Sequence, residues 1–159
     1  MLIAELQWET NLTKKMLERV PLEKSSWKPH DKSHTLGRLS THVAEIPHWI
    51  SRIIAVDDWD FAVRGFSAHV AATQEELLNI LKEKVDQAIA DLGTMRSEDF
   101  DKTWIVRRGD QMRREIPKGF AIRTWGFSHF VHHRGQLSVY LRLLNIPVPG
   151  MYGPSADEK

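Results

Sequence analysis

The sequence contains no cysteine. Disulfides, thiolate nucleophiles, Cys-rich zinc sites and CxxC redox chemistry are excluded together, and any thiol in a reaction must arrive with a cosubstrate. The same absence fits a reducing compartment. No stretch approaches the ~18 consecutive apolar residues of a membrane span. Glu5 interrupts the opening MLIAELQWETNLTKK, where a signal peptide needs an unbroken apolar region behind basic residues, so a cytoplasmic location is expected. An excess of one charge is also missing. There are 22 Lys and Arg against 21 Asp and Glu, a net +1 with histidine neutral, which argues against a general nucleic-acid binder. That balance hides a split: residues 1–100 carry 12 basic against 16 acidic groups, and residues 101–159 carry 10 against 5.

Histidine and tryptophan are what the chain has in quantity, eight and six in 159 residues. The length fits one domain, residues 1–159, with a core large enough to need no disulfide or metal staple. Residues 2–20 read as a helix, with Leu2, Leu6, Leu12, Met16, Leu17 and Val20 at three- and four-residue steps and Pro21 as the stop. Residues 21–34 read as a loop. A second helix is expected from Ser33–Thr35, with Leu36, Leu39, Val43, Ile46, Ile50 and Ile53 as its apolar stripe and a kink at Pro47. After a connection over 55–72 without a clear period, Thr73-Gln-Glu-Glu76 forms a capping box for a helix that stops near Gly93. Within a second connection over 94–117, a short hairpin about Gly109-Asp110 is expected. The last helix runs from Pro117 to about Leu144 and is followed by an extended tail. The expected class is all-α, a four-helix bundle with long crossover connections.

The last helix places histidine where apolar residues belong. Its stripe at heptad spacing is Ile122, Gly126, His129, His133, Leu137, Tyr140 and Leu144. Residues i and i+4 on a helix have Cβ atoms about 5–6 Å apart on one face, a separation from which two rings can converge on one ion. Two hydrogen-bonded core histidines are the alternative reading; a pair at this spacing favours metal. His42 is the candidate third ligand, on the broad inward face of the second helix. His48 and His132 are rotated away from their neighbours and flank, while His30, His34 and His69 lie in loops. Three imidazoles leave an open coordination position of the kind found at catalytic sites, where a water or a cosubstrate thiolate would be the nucleophile. Residues 118–145 contain no Asp or Glu, which excludes a carboxylate-bridged di-metal site. Imidazole ligands suit zinc, nickel, iron and copper alike, with zinc the first choice and nickel the second, and binding is expected to weaken below about pH 6 as ordinary histidines protonate.

The run HFVHHRGQLSVYLRLLNIPVPGMYGPSADE from His129 to Glu158, together with WKPHDKSHTLGRLSTH over 27–42, resembles the DinB family of the DinB/YfiT-like metalloenzyme superfamily. The resemblance spans the whole chain. It implies a four-helix bundle, usually a homodimer, with a divalent metal on His42, His129 and His133. It also implies a reaction class drawn from thiol-dependent transferases and metal-dependent hydrolases, with a low-molecular-weight thiol as a possible cosubstrate. A non-catalytic dimeric metal-binding or stress-related bundle is the other function it allows.

Several residues are candidates for supporting parts. Glu45 or Gln136 would accept the second N–H of a ligating imidazole, as metal-bound histidines require. Tyr140, on the stripe beyond His133, would donate to a substrate or simply fill the core. Among the basic residues of the last third, Arg107, Arg108 and Arg134 are candidates for guiding an anionic small molecule to the metal. Trp49 and Trp125 flank the site by spacing, with core packing as their simpler role.

Overall fold

The structure is a computed structural model and describes residues 1–65 and 68–158. It is mostly helical, with one small sheet. Helix α1 (Leu2–Leu17) buries Leu6, Leu12, Met16 and Leu17, the predicted stripe, and ends three residues earlier than expected. Helix α2 (Leu36–Glu45) starts where Thr35 accepts the Arg38 N–H at 3.3 Å. The expected kink at Pro47 is a break. Pro47 has no N–H to continue the ladder, and a separate helix α3 (His48–Ala55) begins after it. Helix α4 (Gln74–Thr94) is capped by Thr73, which accepts the Glu76 N–H at 3.1 Å. The Glu76 carboxylate reaches back to the Ala72 N–H at 2.7 Å, one residue before the cap.

The sheet corrects the all-α expectation. Strands β1 (Asp58–Asp60), β2 (Thr103–Arg108) and β3 (Met112–Pro117) lie in the order β1-β2-β3. The β2–β3 hairpin turns where expected, with Gly109 at φ +50. Strand β1, which no period announced, pairs parallel to β2 with Asp58 opposite Ile105. Charge holds it there: Arg107 Nε donates to Asp58 at 2.9 Å and Nη1 to Asp60 at 2.7 Å. Asp60 Oδ1 also accepts the N–H groups of Ala62 and Gly109, at 2.8 and 3.0 Å. A three-residue strand flanked by acids is too short to show alternation, so pairing partners make it a strand and pattern does not.

The last helical passage runs on without a gap but is not uniform. Helix α5 (Lys118–Ala121) leads into a π-helical segment (Ile122–Ser128), which leads into α6 (His129–Leu143). Gly126 in that segment passes so close to α3 that a Cβ there would sit 2.6 Å from Ile50 Cγ1. Such local widening of a helix is concentrated at functional sites, and here it immediately precedes His129.

Helix α1 packs on α4 and α6, α2 packs on α4 and α6, and α3 packs on α4 and the π segment. Between helices and sheet sits an aromatic group. Trp49 lies 5.2 Å from both Trp59 and Trp125 by ring centroids, and Trp125 lies 6.0 Å from Trp104. Packing is the role found for Trp49 and Trp125. A second buried contact crosses the core. Arg134 on α6 is 2% exposed, forms an ion pair with Glu9 Oε2 at 2.6 Å, and donates to the Glu9 carbonyl at 3.0 Å and to Thr13 Oγ1 at 3.1 Å. It also donates to the Tyr152 hydroxyl at 2.6 Å, whose own O–H is given to the Glu9 carboxylate at 2.9 Å. Burial, and then Glu9, push the Tyr152 pKa up, so the hydroxyl keeps its proton in this network. The tail is thereby tied to α1 and α6.

Candidate metal centre

Helix α2 places His42 beside the face of α6 that carries His129 and His133. The flanking Leu39, Val43 and Ile46 are fully buried, so the helix has no freedom to turn the imidazole elsewhere. One ring nitrogen from each of His42, His129 and His133 lies within 4.8 Å of the others. Nε2 of His42 and Nε2 of His129 are 3.2 Å apart, and ring centroids in the trio are 4.6 to 5.1 Å apart. Among the described residues no fourth His, Cys, Asp or Glu joins this group.

Protonation favours lone pairs. Burial first, and then the other two histidines, lower the His42 pKa to about 3. Burial and then His133 lower His129 to about 4. His133 is also lowered, by burial, although its hydrogen bond to Gln136 works in the opposite direction. All three rings are therefore neutral at neutral pH. The Gln136 carbonyl oxygen lies 2.7 Å from His133 Nδ1. An amide oxygen only accepts, so Nδ1 carries the proton and Nε2 is left with a lone pair. The buried His129 Nδ1 is directed at the Trp125 carbonyl without closing a hydrogen bond of normal geometry.

These features fit a divalent ion. Two nitrogens bound at 2.0–2.1 Å in a tetrahedral shell are about 3.3 Å apart, close to the separation between His42 and His129. Neutral imidazoles supply the required donor type, and a hydrogen-bonded Nδ1 fixes tautomer and ring orientation on His133.

The other predicted residues fall into two groups. Gln136 lies at hydrogen-bond distance from His133, whereas Glu45 makes no hydrogen bond to His42, His129 or His133 among the described contacts and pairs with Arg38 at 2.9 Å. Tyr140 lines the same open cleft as His133 and Gln136, but its hydroxyl is given to the His34 carbonyl at 3.1 Å and its ring meets Trp27 edge-on. Two of the three guiding arginines are corrected. Arg134 is sealed in the core by Glu9, and Arg107 is held in the sheet by Asp58 and Asp60. Both are paired with carboxylates of the chain, Arg134 in the core and Arg107 at the half-exposed sheet. Arg108 is exposed at the end of β2. His132 is exposed and borders a cleft with His129.

Sequence reasoning missed the basic groups that do lie beside the histidines. Arg38, His48, Arg52 and Lys84 line a cavity of about 240 Å³ together with His42 and Glu45. One signal was available: Arg38, His42 and Glu45 are spaced i, i+4, i+7 and must share a face.

A mostly helical protein with three neutral histidines gathered between two helices defines a class, that of helical folds carrying a histidine cluster that could hold a metal ion. The chain belongs to the DinB family, whose family model matches residues 1–159. It is 25% identical over 152 residues to the uncharacterized protein YrdA of Bacillus subtilis strain 168, covering 96% of this chain and 86% of YrdA. Its fold is similar to that of a DinB-like protein from Bacillus cereus ATCC 10987, with a TM-score of 0.71, 22% identity and 94% of each chain covered. It is also similar to the DinB-like protein YjoA from Bacillus subtilis, with a TM-score of 0.70 and 17% identity, covering 99% of this chain and 97% of that one. No helix among the described residues is long and apolar enough to cross a membrane.

Proposed function

We propose that the chain binds one divalent metal ion through His42, His129 and His133 and uses it as a metal-dependent enzyme. The observation that carries this reading is the convergence of three neutral imidazoles, one of them oriented by Gln136, with no fourth protein donor among the described residues. An open position of this kind belongs to catalytic sites more than to structural ones. Zinc is the first choice of ion and nickel the second, because imidazole accepts both. When bound, such an ion supplies Lewis acidity and lowers the pKa of a water or thiol at the site. With no cysteine in the chain, a thiol would come from a low-molecular-weight cosubstrate, which makes a thiol-dependent transferase or a hydrolase the reaction class. We read α1, α2–α3, α4 and α5–α6 as the four members of a bundle, with the sheet inserted in its long connections.

Calorimetric titration of protein purified without a metal-affinity resin tests the metal. One equivalent of zinc per chain is expected; a chain that takes up none overturns the reading.

The lowered pKa values also set where acid removes the ion. Protons and metal compete for the same lone pairs, so a ring that resists protonation keeps its metal to lower pH. Ordinary imidazoles titrate near 6.5, which would begin release at about pH 6. With His42 held at about 3 and His129 at about 4, release is expected only below about pH 5. Zinc content after equilibration and gel filtration across pH 4 to 7 measures it. Loss already complete at pH 6 would mean that the rings are not buried as described.

A further inference from the structure

We propose that the cavity between α2, α3 and α4 is an oxyanion subsite, taking the carboxylate or phosphate group of a small molecule. Its placement beside His42 rests on the metal reading, and the binding of an anion does not. His42 forms part of the wall, so an anionic group seated here lies one imidazole away from the gathered histidines.

The charges in the wall are unbalanced. Arg38, Arg52 and Lys84 face a single lining carboxylate, Glu45, which Arg38 already holds at 2.9 Å. Arg38 is further committed to the His69 carbonyl at 3.1 Å. Arg52 and Lys84 are different. Among the described residues neither makes a hydrogen bond or ion pair, while the buried cations Lys118 and Arg134 are each matched to a carboxylate. The Arg52 guanidinium is fixed all the same, 4.9 Å from the ring centroids of both Trp49 and Trp59. Those faces orient its N–H edges without using them, which leaves a planar fork of donors free for an oxyanion.

His48 also lines the wall. His48 Nδ1 is buried and has no hydrogen-bond partner. Burial, then Arg52 and Lys84, hold the His48 pKa down at about 4, against a smaller opposing pull from Asp91 and Glu45. The ring is neutral, so it adds no charge of its own to the wall. Around 240 Å³ of space accommodates a carboxylate or phosphate with a short stem.

The probes are succinate and inorganic phosphate, titrated separately into metal-stripped protein and followed by the NMR signals of the Arg52 Nε–H and the Trp49 indole N–H. Saturable shifts at both groups are expected. Lys84→Gln and Arg52→Gln are each expected to weaken binding roughly tenfold, the scale of a hydrogen bond to a charged group. Glu45→Gln removes the one lining acid and should strengthen binding about threefold or more. Arg52→Gln disturbs the tryptophan packing, so if it unfolds, the opposite signs of Lys84→Gln and Glu45→Gln decide. Tighter succinate assigns the subsite to a carboxylate, and tighter phosphate assigns it to a phosphate. Shifts that do not saturate, or affinities indifferent to all three substitutions, overturn the proposal, even if zinc binds. Saturable anion binding by a protein that takes up no zinc supports the subsite and overturns the metal reading alone.

Discussion

Replacing any one of His42, His129 or His133 with alanine is expected to lower zinc affinity by at least about a hundredfold, beyond the loss that removing a supporting hydrogen bond causes. Three donors hold the ion, and no carboxylate among the described residues stands ready to replace one. Gln136→Ala keeps all three donors and loses only the acceptor at 2.7 Å from His133 Nδ1, so about a tenfold loss is expected there. The graded pair separates a bound ion from an incidental cluster of histidines. A linked signature appears in thermal unfolding. At a hundredfold excess over Kd, zinc should stabilise the wild type by about 2.7 kcal/mol, or roughly 5–10 °C in Tm. The alanine variants should lose that rise and still melt cooperatively without metal. Equal zinc affinity in wild type and His129→Ala would contradict the site.

Arg134→Ala is expected to cost about 3–5 kcal/mol, because it leaves the Glu9 carboxylate buried without its cation. A domain of this size holds only about 5–15 kcal/mol in total, so a Tm fall of roughly 10 °C follows. The guanidinium also serves three hydrogen-bond acceptors on α1 and the tail, and the tail hydroxyl of Tyr152 donates to the same Glu9 carboxylate. Replacing both charges together, as Glu9→Leu with Arg134→Leu, removes the uncompensated ion and should recover most of the loss. Thermal melts of the single and double variants measure both. A neutral Arg134→Ala would mean that the pair is solvated, and would return Arg134 to the list of groups free to meet a ligand.

The histidines were legible because a helix turns their spacing into geometry. His129 and His133 had to share a face, and His42 had to lie on the inward side of α2 if Leu39, Val43 and Ile46 were buried. The β2–β3 turn was equally plain from Gly109-Asp110. Other features depend on partners distant in sequence, which periodicity does not contain. Strand β1 pairs with β2 and is tied to Arg107, 47 to 49 residues further on. Arg134 reads as an available cation in the sequence because it lies off the stripe through His129, His133 and Tyr140. Phe130, Arg134 and Leu141 are buried beside it, and the complementary Glu9 lies 125 residues away on α1. Within the π segment Gly126 passes close against Ile50, again a contact between elements. Local pattern thus located the candidate ligands, while the charges that could meet a substrate had to be found in the assembled fold.

The central claim is a metal ion on His42, His129 and His133. An anomalous difference map from zinc-loaded crystals, collected on both sides of the zinc edge, tests it most directly. The account predicts one peak per chain at about 2.0–2.1 Å from a nitrogen of each of the three rings, with the remaining position filled by a small non-protein ligand. A peak elsewhere on the chain, or none between α2 and α6 at full zinc loading, would contradict it.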